Sequence, residues 1–228
     1  MLPWRELSAL RGLHFTGATF NQNFTVFIVD NDAGVLKAVA RLVRAAGYAM
    51  QTFSSALQFL AKYQCDTPGC LVLDLQMPKI DGHKFQVTLL REGIELPVIF
   101  TSSKVDVPTI VEVIRAGAVD FIIKPVRKQA LLKAIATAVQ QELRLRQRRV
   151  QAAAVNNKLA RLTPREAEVL RHIITGHRNK RIAGDLGVVE KTIKVHRSRV
   201  MEKMQAQSVL ELVQMTEKVS LQPVAKET

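Results

Sequence analysis

The chain has 228 residues, 47% of them hydrophobic, and a formal net charge of +13. That length accommodates two modest domains, and the apolar content rules out wholesale disorder. No apolar run reaches the roughly 18–20 residues needed to span a bilayer, and residues 1–22 (MLPWRELSALRGLHFTGATFNQ) lack the apolar stretch of a signal peptide. The expectation is a cytoplasmic protein with no membrane partner, residues 1–22 being an N-terminal extension without an assigned role.

From Phe24 the pattern alternates strand-like and helix-like segments. FTVFIV, a weaker YAMQTF, GCLVLDL, LPVIFTS and VDFIIKP read as strands. Helical patterns lie between and after them, at 35–46, 55–63, 84–92, 107–116 and 128–141. Gly47 and Gly117 stand where a glycine ends a helix. Apolar strands alternating with helices predict an α/β doubly wound parallel five-stranded sheet over 23–139, with functional groups beyond the carboxyl ends of the strands. Cys65 and Cys70 bracket D-T-P-G, which is neither a redox C-x-x-C nor a metal-ligand spacing, so both are expected to be reduced and structural.

The fifth helix continues without Pro or Gly through QQELRLRQRRVQAAAVNN, which predicts a helical linker at 140–160. Residues 161–224 then read as an all-α four-helix helix-turn-helix domain. Thr163, Pro164 and Glu166 form a capping box at its first helix, and Gly187 separates its second and third helices. Charge is unevenly spread. Residues 140–228 carry 18 Lys/Arg against 9 Asp/Glu (net +9), whereas residues 1–139 carry 15 against 11 (net +4). A basic C-terminal segment points to nucleic acid as partner.

The strand ends carry the chemistry. The first ends in Asp30-Asn31-Asp32, the third in Asp74, the fourth in Thr101-Ser102, and the fifth in Lys124-Pro125. Carboxylates that lose hydration side by side call for a cation, and hard divalent ions take carboxylate and carbonyl oxygens. Asp74 has the chemistry of a nucleophile toward a phosphoryl group, while Thr101 and Lys124 are placed to contact the transferred group. A dehalogenase-like phosphatase would need a second aspartate where Gln76 stands, and D-N-D-A-G-V lacks the glycines of a dinucleotide site.

VDND, LVLDLQMPKIDG, FTSS and AGAVDFIIKP, in that order, resemble the receiver domain of two-component response regulators. LTPREAEVL, NKRIAGDLGVVEKTIKVHRSRVMEKM and SVLELV resemble the LuxR-type helix-turn-helix domain, so the whole resembles a FixJ-like response regulator. The resemblance implies a transcription factor rather than an enzyme. It implies that Asp74 accepts a phosphoryl group from a sensor histidine kinase, and that Mg²⁺ is held by Asp30, Asp74, the Gln76 backbone carbonyl and the residue at Asn31. Thr101 and Phe121 would be the switch pair, Lys124 the phosphoryl contact, and the Lys124–Pro125 bond cis.

For DNA, the resemblance implies Lys194, Val195 and Ser198 facing base edges, with Lys180, Arg181, Lys191, Thr192 and Arg197 at phosphates. It further implies a homodimer on activation and RNA polymerase as a partner. Asn31 departs from the family pattern, which has an acid there, so weaker Mg²⁺ binding is expected. The loop KVDVP is one residue longer than the family pattern. Arg178 and Arg181 replace the usual capping Ser and Glu, and Val189 replaces a capping Ser. A second reading follows from Asn31: a DNA-binding protein independent of phosphorylation, with a detuned receiver used as an interaction module.

Overall fold

Each apolar run becomes a strand in the computed structural model, which describes residues 24–64, 67–77, 82–104, 107–219 and 221. The expected N-terminal extension, Cys65, residues 78–81 of the motif after Asp74, residues 105–106 of the KVDVP loop and residues 222–224 lie outside the described residues. Strands β1 (Thr25–Val29), β2 (Ala49–Phe53), β3 (Gly69–Asp74), β4 (Val98–Ser102) and β5 (Asp120–Ile123) form one parallel sheet in the order β2-β1-β3-β4-β5. Helices α1 (Ala33–Ala45), α2 (Ala56–Lys62), α3 (Gly82–Arg91) and α4 (Val107–Arg115) alternate with them.

Every residue of β3 and β4 is buried, as continuous apolar runs covered on both faces require. The edge strands β2 and β5 are only partly buried, which is why YAMQTF carries the weaker signal. Alternate side chains of the inner strands feed two cores. One holds Val26, Ile28, Val72 and Ile99; the other holds Phe27, Val29, Leu71, Leu73 and Phe100. Phe27 and Phe59 meet edge to face with ring centroids 5.6 Å apart in the second core. Gly69 opens β3 because a Cβ there would collide with the Thr25 carbonyl oxygen of the neighbouring strand.

Helix α1 begins two residues before the expected 35, because Asp32 is its N-cap and accepts from the N–H groups of Gly34 (2.7 Å) and Val35 (3.1 Å). Helix α3 likewise begins at Gly82 rather than 84, where a Cβ would stand 2.8 Å from the Asp74 carbonyl oxygen. Burial pushes the Cys70 thiol well above its ordinary value, with the charge of Glu142 adding to the effect, so this cysteine is inert core.

The chain divides into two compact units, Met1–Leu145 and Arg146–Thr228. Helix α5 (Lys128–Leu159) runs through the division, as the absence of Pro and Gly predicts. Leu131, Ala134, Ile135 and Ala138 belong to the core of the first unit, and Val155 to that of the second. The second unit continues with α6 (Pro164–Ile174), α7 (Asn179–Asp185), α8 (Glu190–Met204) and α9 (Val209–Glu217). Its core gathers Val169, Leu170, Ile173, Ile182, Ile193, Val200, Met204 and Leu212.

The capping box at α6 is present as expected, and Glu166 does more than cap. Its Oε2 accepts from the Thr163 N–H (2.9 Å) and from the Lys203 ammonium (2.6 Å), which ties α6 to the end of α8. The Lys203 bond, then the Thr163 bond, hold the Glu166 carboxyl down at about 2. A folded-state value lowered from an ordinary 4.5 or so contributes stability that is full above pH 5 and lost as pH falls toward 2. With Lys203 one-third exposed, solvent screening reduces the contribution to about 1–2 kcal/mol. Glu166→Gln is therefore expected to lower stability by that amount at pH 7 and to flatten the loss between pH 5 and 3, measured by urea unfolding at each pH. An unchanged acid limb would show that the pair contributes nothing.

Candidate functional site

In the order β2-β1-β3-β4-β5 the chain leaves β1 toward one edge and β3 toward the other, so the crevice lies at the carboxyl ends of β1 and β3. Backbone bonds extend each strand just past its end: Asp30 N–H to Phe53 O (3.1 Å), Leu75 N–H to Thr101 O (2.8 Å) and Lys124 N–H to Ser102 O (2.8 Å). They set Asp30, Asp74, Thr101 and Lys124 along one rim.

Lys124 joins the two acids. Its Nζ stands 2.7 Å from Oδ2 of Asp30 and 2.9 Å from Oδ1 of Asp74, with both carboxylates buried. Burial works against the ammonium, but the Asp30 and Asp74 carboxylates outweigh it and hold the Lys124 pKa above its ordinary value. Lys124 thus stays cationic at any physiological pH. Oδ1 of Asp30 accepts from the Asp32 N–H at 2.9 Å. Oδ1 of Asp74 has the ammonium beside it but accepts no well-aligned hydrogen bond among the described residues. Two buried carboxylates side by side, one with an oxygen that accepts no well-aligned hydrogen bond among the described residues, are the donor set of a hard divalent cation, so the residues fit Mg²⁺.

Thr101 is buried opposite Asp74 in the β3–β4 register, its hydroxyl donating to Leu73 O at a long 3.4 Å. Phe121 is half-buried on edge strand β5 and packs against the second core. Ser102, fully buried, accepts from the Lys104 N–H (3.2 Å) and donates to its carbonyl (3.0 Å), which fixes the start of the loop after β4. The Lys124–Pro125 bond is cis. Asn31 and Gln76 are exposed in the bends after β1 and β3, and the side chains of Asp30, Asp74 and Lys124 meet without them.

The second unit presents a basic helix. On α8, Lys191, Lys194, Val195 and Ser198 follow the i, i+3, i+4, i+7 rule and share one exposed face, Val195 being 46% exposed. Ile193, Val200 and Met204 form the fully buried stripe on the opposite side. Thr192 and Arg197 flank that face half-buried, and Arg199 is exposed beside it. Lys180 and Arg181 are exposed on the short helix before it. Arg178 and Val189 are the N-caps of α7 and α8 without side-chain bonds, and Asn179 does not cap in place of Arg178. Arg165 holds the intervening turn instead, donating to Leu186 O at 2.6 Å. Sequence patterning does not reveal that bond, because the donor and acceptor lie 21 residues apart.

The sheet, its acid–lysine rim and the basic helix define a receiver domain joined to a helix-turn-helix module. Residues 26–136 match the response regulator receiver domain, and residues 160–216 match the bacterial regulatory proteins of the luxR family. The response regulator protein TmoT of Ectopseudomonas mendocina is 39% identical over 199 residues, 87% of this chain and 90% of TmoT. The transcriptional regulatory protein FixJ of Azorhizobium caulinodans is 34% identical over 194 residues, 85% of this chain and 92% of FixJ. Among solved structures, the response regulator StyR matches with a TM-score of 0.66 and 39% identity, over 86% of this chain and 99% of StyR. Full-length FixJ from B. japonicum matches with 0.53 and 31%, over 87% and 98%.

The chain belongs to the family of two-component response regulators with a LuxR-type DNA-binding domain that includes FixJ, TodT and nodulation protein W. It is a transcription regulator, not an enzyme. Its receiver implies a histidine kinase partner and a site of the kind that binds Mg²⁺; its helix-turn-helix implies DNA. Among the described residues, no helix is long and apolar enough to cross a membrane.

Proposed function

We propose that the chain controls transcription through phosphorylation of Asp74, with the Asp30–Lys124–Asp74 constellation as the observation that carries this reading. Asp74 attacks the phosphorus of a kinase phosphohistidine; the new O–P bond forms as the N–P bond breaks. Lys124 contacts the transferred group, since a partly buried ammonium already held between two carboxylates is preorganised to meet added negative charge. Asp30, Asp74, the Gln76 carbonyl and Asn31 would hold Mg²⁺, which would supply positive charge against the phosphoryl oxygens. The domain limits we propose are 1–22, 23–139 (receiver), 140–160 (helical linker) and 161–224 (DNA-binding), with action in the cytoplasm. Phosphotransfer labelling tests the site: wild type takes up label and Asp74→Asn does not.

Activation proceeds by dimerisation. The receiver exposes Val107, Val111 and Ile114 on α4 and Ile123 on β5, the four between 40% and 66% exposed. Val107, Val111 and Ile114 share one face of α4 by their i, i+4, i+7 spacing, and an exposed apolar face of that kind is what a homodimer would cover. Bound to paired half-sites, the dimer presents itself to RNA polymerase.

Asn31 favours a second reading, in which the receiver is detuned and serves as an interaction module. Its amide brings an oxygen but no charge. Asn31→Asp is expected to tighten Mg²⁺ binding by about 1–2 kcal/mol, the scale of one added charge near a protein surface, as read by chemical-shift titration. A variant that binds Mg²⁺ no better places Asn31 outside the metal shell.

A further inference from the structure

The turn after α6 carries a feature that phosphorylation and DNA binding do not use. It is a Schellman motif: the Gly176 N–H bonds to Ile173 O (2.9 Å), the His177 N–H bonds to His172 O (3.1 Å), and Gly176 has φ 87°. This motif brings the residue three from the helix end against the one two past the cap, where a hydrophobic contact is usual. Here the pair is His172 and His177. Their Nδ1 atoms stand 3.1 Å apart, and Oδ2 of Asp185, the last residue of α7, lies 3.5 Å from the first and 3.8 Å from the second.

We propose that His172, His177 and Asp185 form a binding site for a divalent transition ion of the zinc type, which fastens the end of α6 to the end of α7. A tetrahedral ion with ligands at about 2.0–2.1 Å sets its donor atoms roughly 3.3–3.4 Å apart. The three atoms already stand near the corners of one face of such a tetrahedron. Two imidazoles and a carboxylate form a ligand set of borderline softness, suited to zinc and poorly suited to magnesium.

A plain His–His hydrogen bond uses one proton between the rings and leaves Asp185 only long contacts to them, at 3.5 and 3.8 Å. The carboxylate is 38% exposed, so water has access to supply a fourth ligand. Arg181, whose Nε stands 3.8 Å from the same Asp185 oxygen, yields that contact to the incoming dication.

The test is titration of the full chain, stripped of metal with a chelator, first with Co²⁺ and then with Zn²⁺. The expected result is one equivalent of Co²⁺ giving the visible band of a tetrahedral ion, removal of that band by Zn²⁺, and a raised thermal midpoint for the metal-bound chain. His177→Gln and Asp185→Asn should each weaken binding at least as much as loss of a supporting group does, roughly 10–100-fold, while His196→Gln leaves the band unchanged. Asp185→Asn replaces an exposed group of the same shape, so it reports even if His177→Gln misfolds. Absence of a tetrahedral band in wild type, or a band equally strong in Asp185→Asn and His177→Gln, overturns the site.

Discussion

Phosphorylation of the wild-type chain is expected to tighten binding to DNA with two half-sites by ~10²–10⁴-fold, with almost no gain on a single half-site. The factor comes from tethering. Once two receivers pair, the second DNA-binding unit meets its half-site as an intramolecular event, without any new base contact. The trigger is local. Among the described residues the Thr101 hydroxyl bonds only to Leu73 O, at a long 3.4 Å, so a phosphoryl group on Asp74 would outcompete that carbonyl and draw the hydroxyl inward. Phe121, half-buried on the edge strand, is free to follow, which biases the face built from α4 and β5 between two arrangements. Half-sites one DNA turn apart, about 34–36 Å, or a multiple of it, should respond most. Gel-shift titrations with phosphorylated wild type, with Asp74→Asn and with a fragment beginning at Leu162 check this, since neither control should show the gain. Equal stimulation on single and paired sites would replace dimerisation with release of an inhibited recognition helix. No stimulation on either would favour the detuned receiver that Asn31 raises.

Strand ends were legible in the sequence because a fully buried strand has little choice of residue: β3 and β4 are apolar until their last one or two residues, and those polar residues mark the rim. The pattern put Asp74 at the end of the third strand and Thr101 at the end of the fourth; the structure adds that these two strands are neighbours and that the two residues stand opposite one another. Long-range partners were not legible. Nothing in FIIKP states that Lys124 reaches two carboxylates at once, because the partners lie on strands distant in sequence. Asp32 looked like part of an acidic site and is a helix cap, a local role that only the backbone turn after β1 reveals. The His172–His177 pair was invisible for a different reason. The spacing H-x₄-H becomes a contact only when a glycine turns the helix end back on itself, and no helical or strand period describes that geometry.

DNA affinity is expected to fall steeply with salt, by roughly 10² for a single DNA-binding unit between 50 and 200 mM. Lys180, Arg181, Lys191 and Arg197 are the four cations assigned to phosphates, and each releases condensed counterions on binding. At about 0.9 per neutralised phosphate the log–log slope is near −3.6 for one unit, and about twice that for a pair on two half-sites. Lys191→Ala should flatten the single-unit slope by about 1 and weaken all sequences alike. Lys194 is a different case. It lies one turn further along α8, on the same exposed face as Val195 and Ser198 and opposite the buried Ile193–Val200–Met204 stripe, so the helix can seat it toward base edges in the major groove. Its one close acid among the described residues, Glu190 at 4.0 Å, is an exposed i,i+4 partner that costs little to abandon. Lys194→Ala should therefore relax sequence preference at one position by about 1–3 kcal/mol, with binding to random DNA less affected. Competition titrations against operator variants separate the two classes. A Lys194→Ala chain that loses affinity uniformly across sequences, with a flatter salt slope, would move that lysine to the phosphate backbone.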